Sequence, residues 1–341
     1  MAVYPSIETA AFFMFSAPLV AFLLGVAYSY EVRKVFARLQ SRRGPWFIVP
    51  SALRSTFGFS RTLQPLYDIL KLLYKETLVP KSANKQLFKF SPYLALVCLI
   101  IATWFIPLAG YSSFGAFEFS LVVVLYLLLA VPIAFILGGA GSSSPWGVLG
   151  GRREAELMLA YEVPLVIGIF STAIMANSLS LAEIVSFQTQ RLPFIFLNPF
   201  AAIAVFSALV GKLHLKPFDI PEADVEIVAG PITEYSGKLL GIVEAVRAIL
   251  VFACVALFTN VFLQGGLVFS GYISSLFSAI LFIVQGFIIT FLISLVHAAN
   301  PRYRIDQAFA WYTRIPLAAS LMGLVWAYAV KYMFPTLIAG V

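Results

Sequence analysis

The densest chemistry in this sequence lies in Lys216-Pro217-Phe218-Asp219-Ile220-Pro221-Glu222-Ala223-Asp224-Val225-Glu226 and in Gly230-Pro231-Ile232-Thr233-Glu234-Tyr235-Ser236-Gly237-Lys238, a few residues on. Five of the 16 acids of the whole chain fall here, flanked by only two lysines. If the segment is helical from Pro221, Glu222 and Glu226 stand one turn apart on one face. Like charges placed so raise each other's pKa and favour sharing a proton. The plainer alternative is a solvated charge run that caps the next helix.

A second group precedes it. Leu149-Gly150-Gly151-Arg152-Arg153-Glu154-Ala155-Glu156 runs on into Tyr161-Glu162-Val163-Pro164. Arg152 and Glu156 are four residues apart, so a local salt bridge accounts for them. Glu162 is different, because it falls inside an apolar run, where an ionisable group costs roughly 2.5 kcal/mol or more unless it meets water or a partner. Further on, Asn300-Pro301-Arg302-Tyr303-Arg304-Ile305-Asp306-Gln307 sets two arginines against one acid and could neutralise part of the acidic stretch. Other chemistry finds no foothold. His214 and His297 are the only histidines, so haem ligation has no pair to use. Cys98 and Cys254 cannot make a metal site by themselves. Gly138-Gly139-Ala140-Gly141 lacks the Lys-Ser/Thr of a phosphate-cradling loop. The carboxylates therefore point to proton movement, with no metal, redox centre or covalent catalysis on the chain.

The elements that must position these groups are membrane helices. The 341 residues are 61% hydrophobic and 11% charged, against about 45–50% and about 25% in soluble domains. Spans of about 20 apolar residues are expected at 10–30, 91–110, 118–140, 157–178, 196–215, 241–264, 272–298 and 313–338. The sequence thus reads as one all-α membrane domain, 1–341, of eight transmembrane helices. Glu244 and Arg247 lie within the sixth span. The first span is not expected to be a cleaved signal peptide, because its basic residues follow it.

Basic residues set the orientation. Segment 31–89 holds twelve of the 23 lysines and arginines, and the segments 141–156, 216–240 and 299–312 add six more. The connections on the other side contribute only Arg191. Both termini are therefore expected outside, with 31–89 and the acidic loop 216–240 in the cytoplasm of a multi-pass protein of the cell membrane. The net charge of +7 is a topology signal, and no nucleic-acid partner is expected. Within 31–89, Leu63, Leu66, Tyr67, Leu70, Leu73 and Tyr74 recur at helical spacing opposite Asp68, Lys71 and Lys75. An amphipathic helix over about 61–77 is expected, lying in the headgroups, packed on the spans, or both.

These segments together resemble the H-subunit family of respiratory complex I and membrane-bound hydrogenases, over nearly the whole chain. The resemblance rests on Arg38-Leu39-Gln40-Ser41-Arg42-Arg43-Gly44-Pro45, on Leu63 to Leu72 with Lys75-Glu76, on Leu149 to Glu162, on Pro217-Phe218-Asp219 through Gly237, and on Arg302 to Gln307. It implies a membrane anchor that docks a peripheral redox arm and joins it to antiporter-like pumping subunits. By motif, the implied relay is Glu156, Glu162, Asp219, Glu222, Asp224, Glu226 and Glu234, with Arg152, Arg153, Arg302 and Arg304 as charge partners. Arg42, Arg43, Gln64, Asp68 and Lys71 fall in the docking and interfacial segment. The wording from Ile227 to Gly237 is nearer the hydrogenase-related branch, whose partners are large and small iron–sulfur subunits fed by ferredoxin, with nickel–iron elsewhere than on this chain. Two departures count against a quinone site: Glu31 sits one residue early with Val32 in its place, and the stretch between Gly44-Pro45 and Leu63-Gln64-Pro65 is long. The alternatives are a quinone-chamber subunit of complex I and a stand-alone secondary transporter. Against the latter, no pair of broken helices recurs in corresponding halves.

Overall fold

The computed structural model describes residues 7–42, 44, 64–110, 114, 116–189, 191–266 and 272–333. Among these residues twelve α-helices follow one another: α1 (Ile7–Leu39), α2 (Gln64–Tyr74), α3 (Lys85–Phe105), α4 (Ser120–Gly141), α5 (Pro145–Ala176), α6 (Leu181–Thr189), α7 (Phe194–Leu197), α8 (Pro199–Lys212), α9 (Asp224–Ile227), α10 (Gly237–Phe262), α11 (Tyr272–Ala299) and α12 (Ile305–Met333). Among the described residues seven helices are long and apolar enough to cross a membrane: α1, α3, α4, α5, α10, α11 and α12. The protein is a multi-pass, all-helical membrane protein.

The expected span at 196–215 is only partly realised. Asn198 breaks the chain after α7 and caps α8, its side chain accepting from the Ala201 N–H at 3.2 Å, and Pro199 takes the first helical position. That leaves 14 residues, about 21 Å of helix against a hydrocarbon core of about 30 Å. The same Asn198 donates to Ser171 Oγ and to the Gly323 carbonyl, which fixes α8 between α5 and α12. At that crossing a side chain on Gly323 would collide with Ala201, so glycine sets the helix separation.

α5 packs on α4, α8 and α12, and α1 packs on α10 and α11. α10 lies against α1, α2 and α3 and is buried through most of its length. α2 carries apolar residues on two faces. Pro65 and Ile69 are buried, while Leu70, Leu73 and Tyr74 are exposed. The exposed residues belong to the stripe expected from the periodicity, but Leu66 and Tyr67 of that stripe are half-buried, and Leu73 sits at its edge against the bundle. Leu72 and Leu73 meet α10 where Gly241 has no side chain to keep them off. Just beyond, Ser236 Oγ accepts from the Leu78 N–H at 2.9 Å and donates to its carbonyl at 3.2 Å. The exit of α2 is thereby tied to the start of α10. Lys331, near the end of α12, caps the C-terminus of α5 by donating to the Ile174 carbonyl at 3.0 Å and to Asn177 Oδ1 at 3.1 Å. It joins Arg191 at the end of the bundle opposite the acidic connection, where the loop charges alone had pointed to Arg191 by itself.

Candidate functional site

Arg152, Arg153, Glu154 and Glu156 stand on the first turns of α5, and Gly150 lets the acidic connection cross them. A side chain on Gly150 would lie within 2.6 Å of both Gly230 and Pro231. Two residues after α8, His214 takes a left-handed backbone conformation (φ 50°). This turn sends the imidazole between two carboxylates, Nε2 at 2.8 Å from Glu154 and Nδ1 at 3.3 Å from Glu222. Glu222 also binds Arg247 of α10. Arg247 binds Glu244 at 2.8 Å, Glu244 lies 3.5 Å from Arg33 of α1, and Arg33 lies 3.5 Å from Asp68 of α2. Seven groups from five segments thus alternate in sign from Glu154 to Asp68. The Glu154 end is wholly buried, whereas Arg33 and Asp68 are about half exposed.

Burial alone would lower the pKa of His214, but Glu154 and then Glu222 overcome it and push the imidazole up to about 10. Burial would likewise raise Glu222, but Arg247 and His214 hold it well below the usual carboxylate range. The structure thus places a charged imidazolium between two carboxyl groups, with Glu222 held in its ionised form. A cavity of about 250 Å³ opens beside this chain, lined by His214, Glu222, Glu244, Arg247 and Arg33 and by His297 and Phe36 among others.

A second pair lies farther along α5, where Glu162 binds Lys212, whose side chain is 1% exposed. Tyr161 joins it to the first group. Its hydroxyl is 3.5 Å from Glu154, and the Lys212 ammonium sits 5.5 Å over its ring.

The expected shared proton between Glu222 and Glu226 is not what the structure holds. The helix begins at Asp224, with Ala223 as its cap, so Glu222 lies before it and faces inward. Glu226 instead pairs with Arg153 at 2.6 Å and is half exposed. Arg152 and Glu156 form the local bridge, 3.1 Å, at the surface. Asp219 pairs with Arg302 at 2.6 Å, while burial raises its carboxyl above the usual range against that pull. Neighbouring Phe218 packs among Tyr303, Trp311 and Tyr312. Arg304 is exposed and Glu234 half-buried, and neither makes an ion pair among the described residues. Of the interfacial group, Asp68 enters the charge chain, Lys71 is exposed, Arg42 binds Gln40, and the buried Oε1 of Gln64 has no partner among the described residues. Arg43, the segment 45–63 and the side chain of Asp224 lie outside the described residues. No group of three metal-ligating side chains occurs among the described residues.

Sequence reasoning missed Glu154, His214, Lys212, Glu244, Arg247 and Arg33 as site residues. One signal was available: Glu244 and Arg247, three apart within an apolar run, are costly enough to demand partners.

A family model described as NADH dehydrogenase matches residues 10–328. The H-subunit of the NADH-quinone oxidoreductase of Geobacillus kaustophilus (strain HTA426) is 33% identical over 331 residues, 95% of each chain. The chain belongs to the H-subunit family. Its counterpart in Bacillus cereus (strain ATCC 14579) is also 33% identical, over 296 residues and 84% of each chain. The chain also superposes on one from the membrane-bound sulfane sulfur reductase, an archaeal respiratory membrane complex. The TM-score is 0.79 at 28% identity, over 93% of this chain and 98% of that one. The protein is a membrane subunit of the complex I-like respiratory type.

Proposed function

We propose that the chain is the anchor and coupling subunit of a ferredoxin-linked, hydrogenase-related respiratory complex, hydrogen-evolving or sulfur-reducing, in the cell membrane. It docks a peripheral arm of hydrogenase-like large and small iron–sulfur subunits and abuts antiporter-like membrane subunits. Both termini lie outside, with α8 as a shortened eighth crossing. The alternating chain from Glu154 to Asp68 carries this reading. Its half-exposed end at α2 offers a contact for the arm, and its buried end meets Tyr161 and the Glu162–Lys212 pair within the membrane. Because neighbours alternate in sign, a charge altered at one end unbalances the next pair. A proton or side chain then moves to restore neutrality. The likeness to the sulfane sulfur reductase chain supports the branch.

The second reading, a quinone-chamber subunit, is favoured by what the 33%-identical relatives are named for and by the cavity beside Phe36. Its walls argue the other way. Arg33, Lys212, His214, Glu222, Glu244 and Arg247 all face a space that a flat, largely apolar ring would have to enter. A stand-alone transporter finds no support, because the relatives are subunits of larger enzymes. Purification of the intact complex from native membranes is the test. Copurified iron–sulfur subunits with nickel or sulfur-reducing activity driven by reduced ferredoxin are expected. Bound quinone with quinone reduction would replace this reading by the second.

A further inference from the structure

Two oxygen atoms on α1 stand apart from the charge chain. Tyr28 is 1% exposed. Its ring is held between Phe252 of α10, centroids 6.5 Å apart, and Phe287 of α11, 5.1 Å away. The hydroxyl reaches the backbone of α11 at Gly286, where any side chain would displace it. There it is sealed from solvent and has no hydrogen-bond partner among the described residues. One helical turn on, Glu31 is half-buried, and its Oε2 is sealed and without a hydrogen-bond partner among the described residues. Residues three apart share a helix face, so a phenol and a carboxyl, both unsatisfied, are neighbours.

Glu31 has no counter-ion within salt-bridge distance among the described residues. On α1, Arg33 is taken by Asp68 and Glu244, and Lys34 makes contacts of its own. On α10, Arg247 is taken by Glu222 and Glu244. On α11, His297 Nδ1 accepts from the Lys216 N–H at 2.9 Å, which fixes a neutral ring with its other nitrogen protonated. On α2, Asp68 is an acid already paired. On α3, Lys85, Lys89 and Tyr93 are exposed, and Cys98 is an uncharged thiol. A buried carboxylate oxygen with neither counter-ion nor donor is far costlier than a buried carboxylic acid. Buried polar atoms without partners also mark places where water belongs.

We propose that Glu31 and Tyr28 form a proton-holding site between α1 and α11, in which Glu31 is a neutral carboxylic acid joined to the Tyr28 hydroxyl through one bound water. The ligand is a proton with its water. The site lies off the alternating chain but next to it, because Val32, the following residue, lines the cavity beside Glu222 and Arg247. It adds one exchangeable proton to the chain's inventory and places it on a helix that the acidic connection does not include. The site holds its proton whichever electron acceptor the complex uses.

Infrared spectroscopy of the intact purified complex tests it. The difference spectrum of wild type minus Glu31→Gln, near neutral pH, is expected to contain the carbonyl stretch of one protonated carboxylic acid, shifting in D₂O. Tyr28→Phe is expected to keep that band and move its frequency, because the shared water loses a partner. Since the amide mimics the neutral acid in size and charge, Glu31→Gln is expected to assemble at wild-type yield. An ionised-carboxylate band in its place, or assembly lost in Glu31→Gln and rescued by Glu31→Asp, would overturn the proposal. So would a carboxylic band indifferent to Tyr28→Phe, which would remove the shared site.

Discussion

Glu222→Gln and Glu226→Gln, four residues apart in one acidic stretch, are expected to behave differently. Glu222 is buried and answers two cations, Arg247 and His214. Removing one partner of a buried pair costs about 3–5 kcal/mol. Here each cation keeps a second carboxylate, Glu244 at 2.8 Å for Arg247 and Glu154 at 2.8 Å for His214. The amide also still accepts a hydrogen bond, so the cost falls to roughly 2 kcal/mol, about thirtyfold in the population of the connected arrangement. Glu226 is half exposed with one partner, Arg153. Such a pair contributes about 0.5 kcal/mol, about twofold. The assay is ion transport per electron by the purified complex in proteoliposomes, with redox turnover measured on the same sample. Glu222→Gln is expected to lower that ratio at least tenfold with assembly kept, and Glu226→Gln to stay within about twofold. Full coupling in Glu222→Gln would refute the relay. Equal losses in both variants would refute the reasoning from burial.

Glu162→Gln should assemble with weakened coupling, whereas Glu162→Leu strands the buried Lys212 and should cost about 3–5 kcal/mol of stability. Adding Lys212→Met is expected to restore assembly by size-exclusion chromatography but not transport, and better assembly with normal transport in Glu162→Leu alone would discredit the membrane half of the pathway. For pH, the raised His214 stabilises the fold fully below about 6.5, and that contribution is lost as pH rises through about 10. The lowered Glu222 contributes above about 4.5 and loses its contribution as pH falls through its folded value. Hydrogen exchange over 213–228 is therefore expected to be slow between these limits and to accelerate on the alkaline side near pH 10, a transition that His214→Gln should abolish. Ser236→Ala removes both hydrogen bonds to Leu78 and should cost about 1 kcal/mol, seen as faster exchange at 75–79 alone.

The membrane character, most of the helices and the acidic connection were legible in the sequence because hydropathy and charge are local properties. Glu162 was legible for the same reason, as an acid in an apolar run that needs a partner, and Lys212 supplies it. The pairing was not, because each link joins distant segments: Glu154 to His214 across 60 residues, Arg33 to Glu244 across more than 200. Glu222 illustrates the limit. Its importance could be read from its company, but helical periodicity pointed it at Glu226, whereas a helix start at Asp224 turned it toward His214. The shortened α8 escaped because Asn198 and Pro199 interrupt an otherwise unbroken apolar run, and hydropathy averages over such a break.

The unbroken run of α5 through Glu154 and Glu162 has an electrical consequence. Both acids stand on one continuous helix, eight residues apart, which is about 12 Å along its axis. A charge passed from one to the other would traverse up to about two-fifths of a hydrocarbon layer about 30 Å thick. Carrying an elementary charge across the whole layer is worth about 2.3 kcal/mol per 100 mV, so this step alone would feel up to about 0.9 kcal/mol per 100 mV. Charge transfer along α5 would thus be voltage-dependent in its own right, slowed or sped by the potential across the membrane.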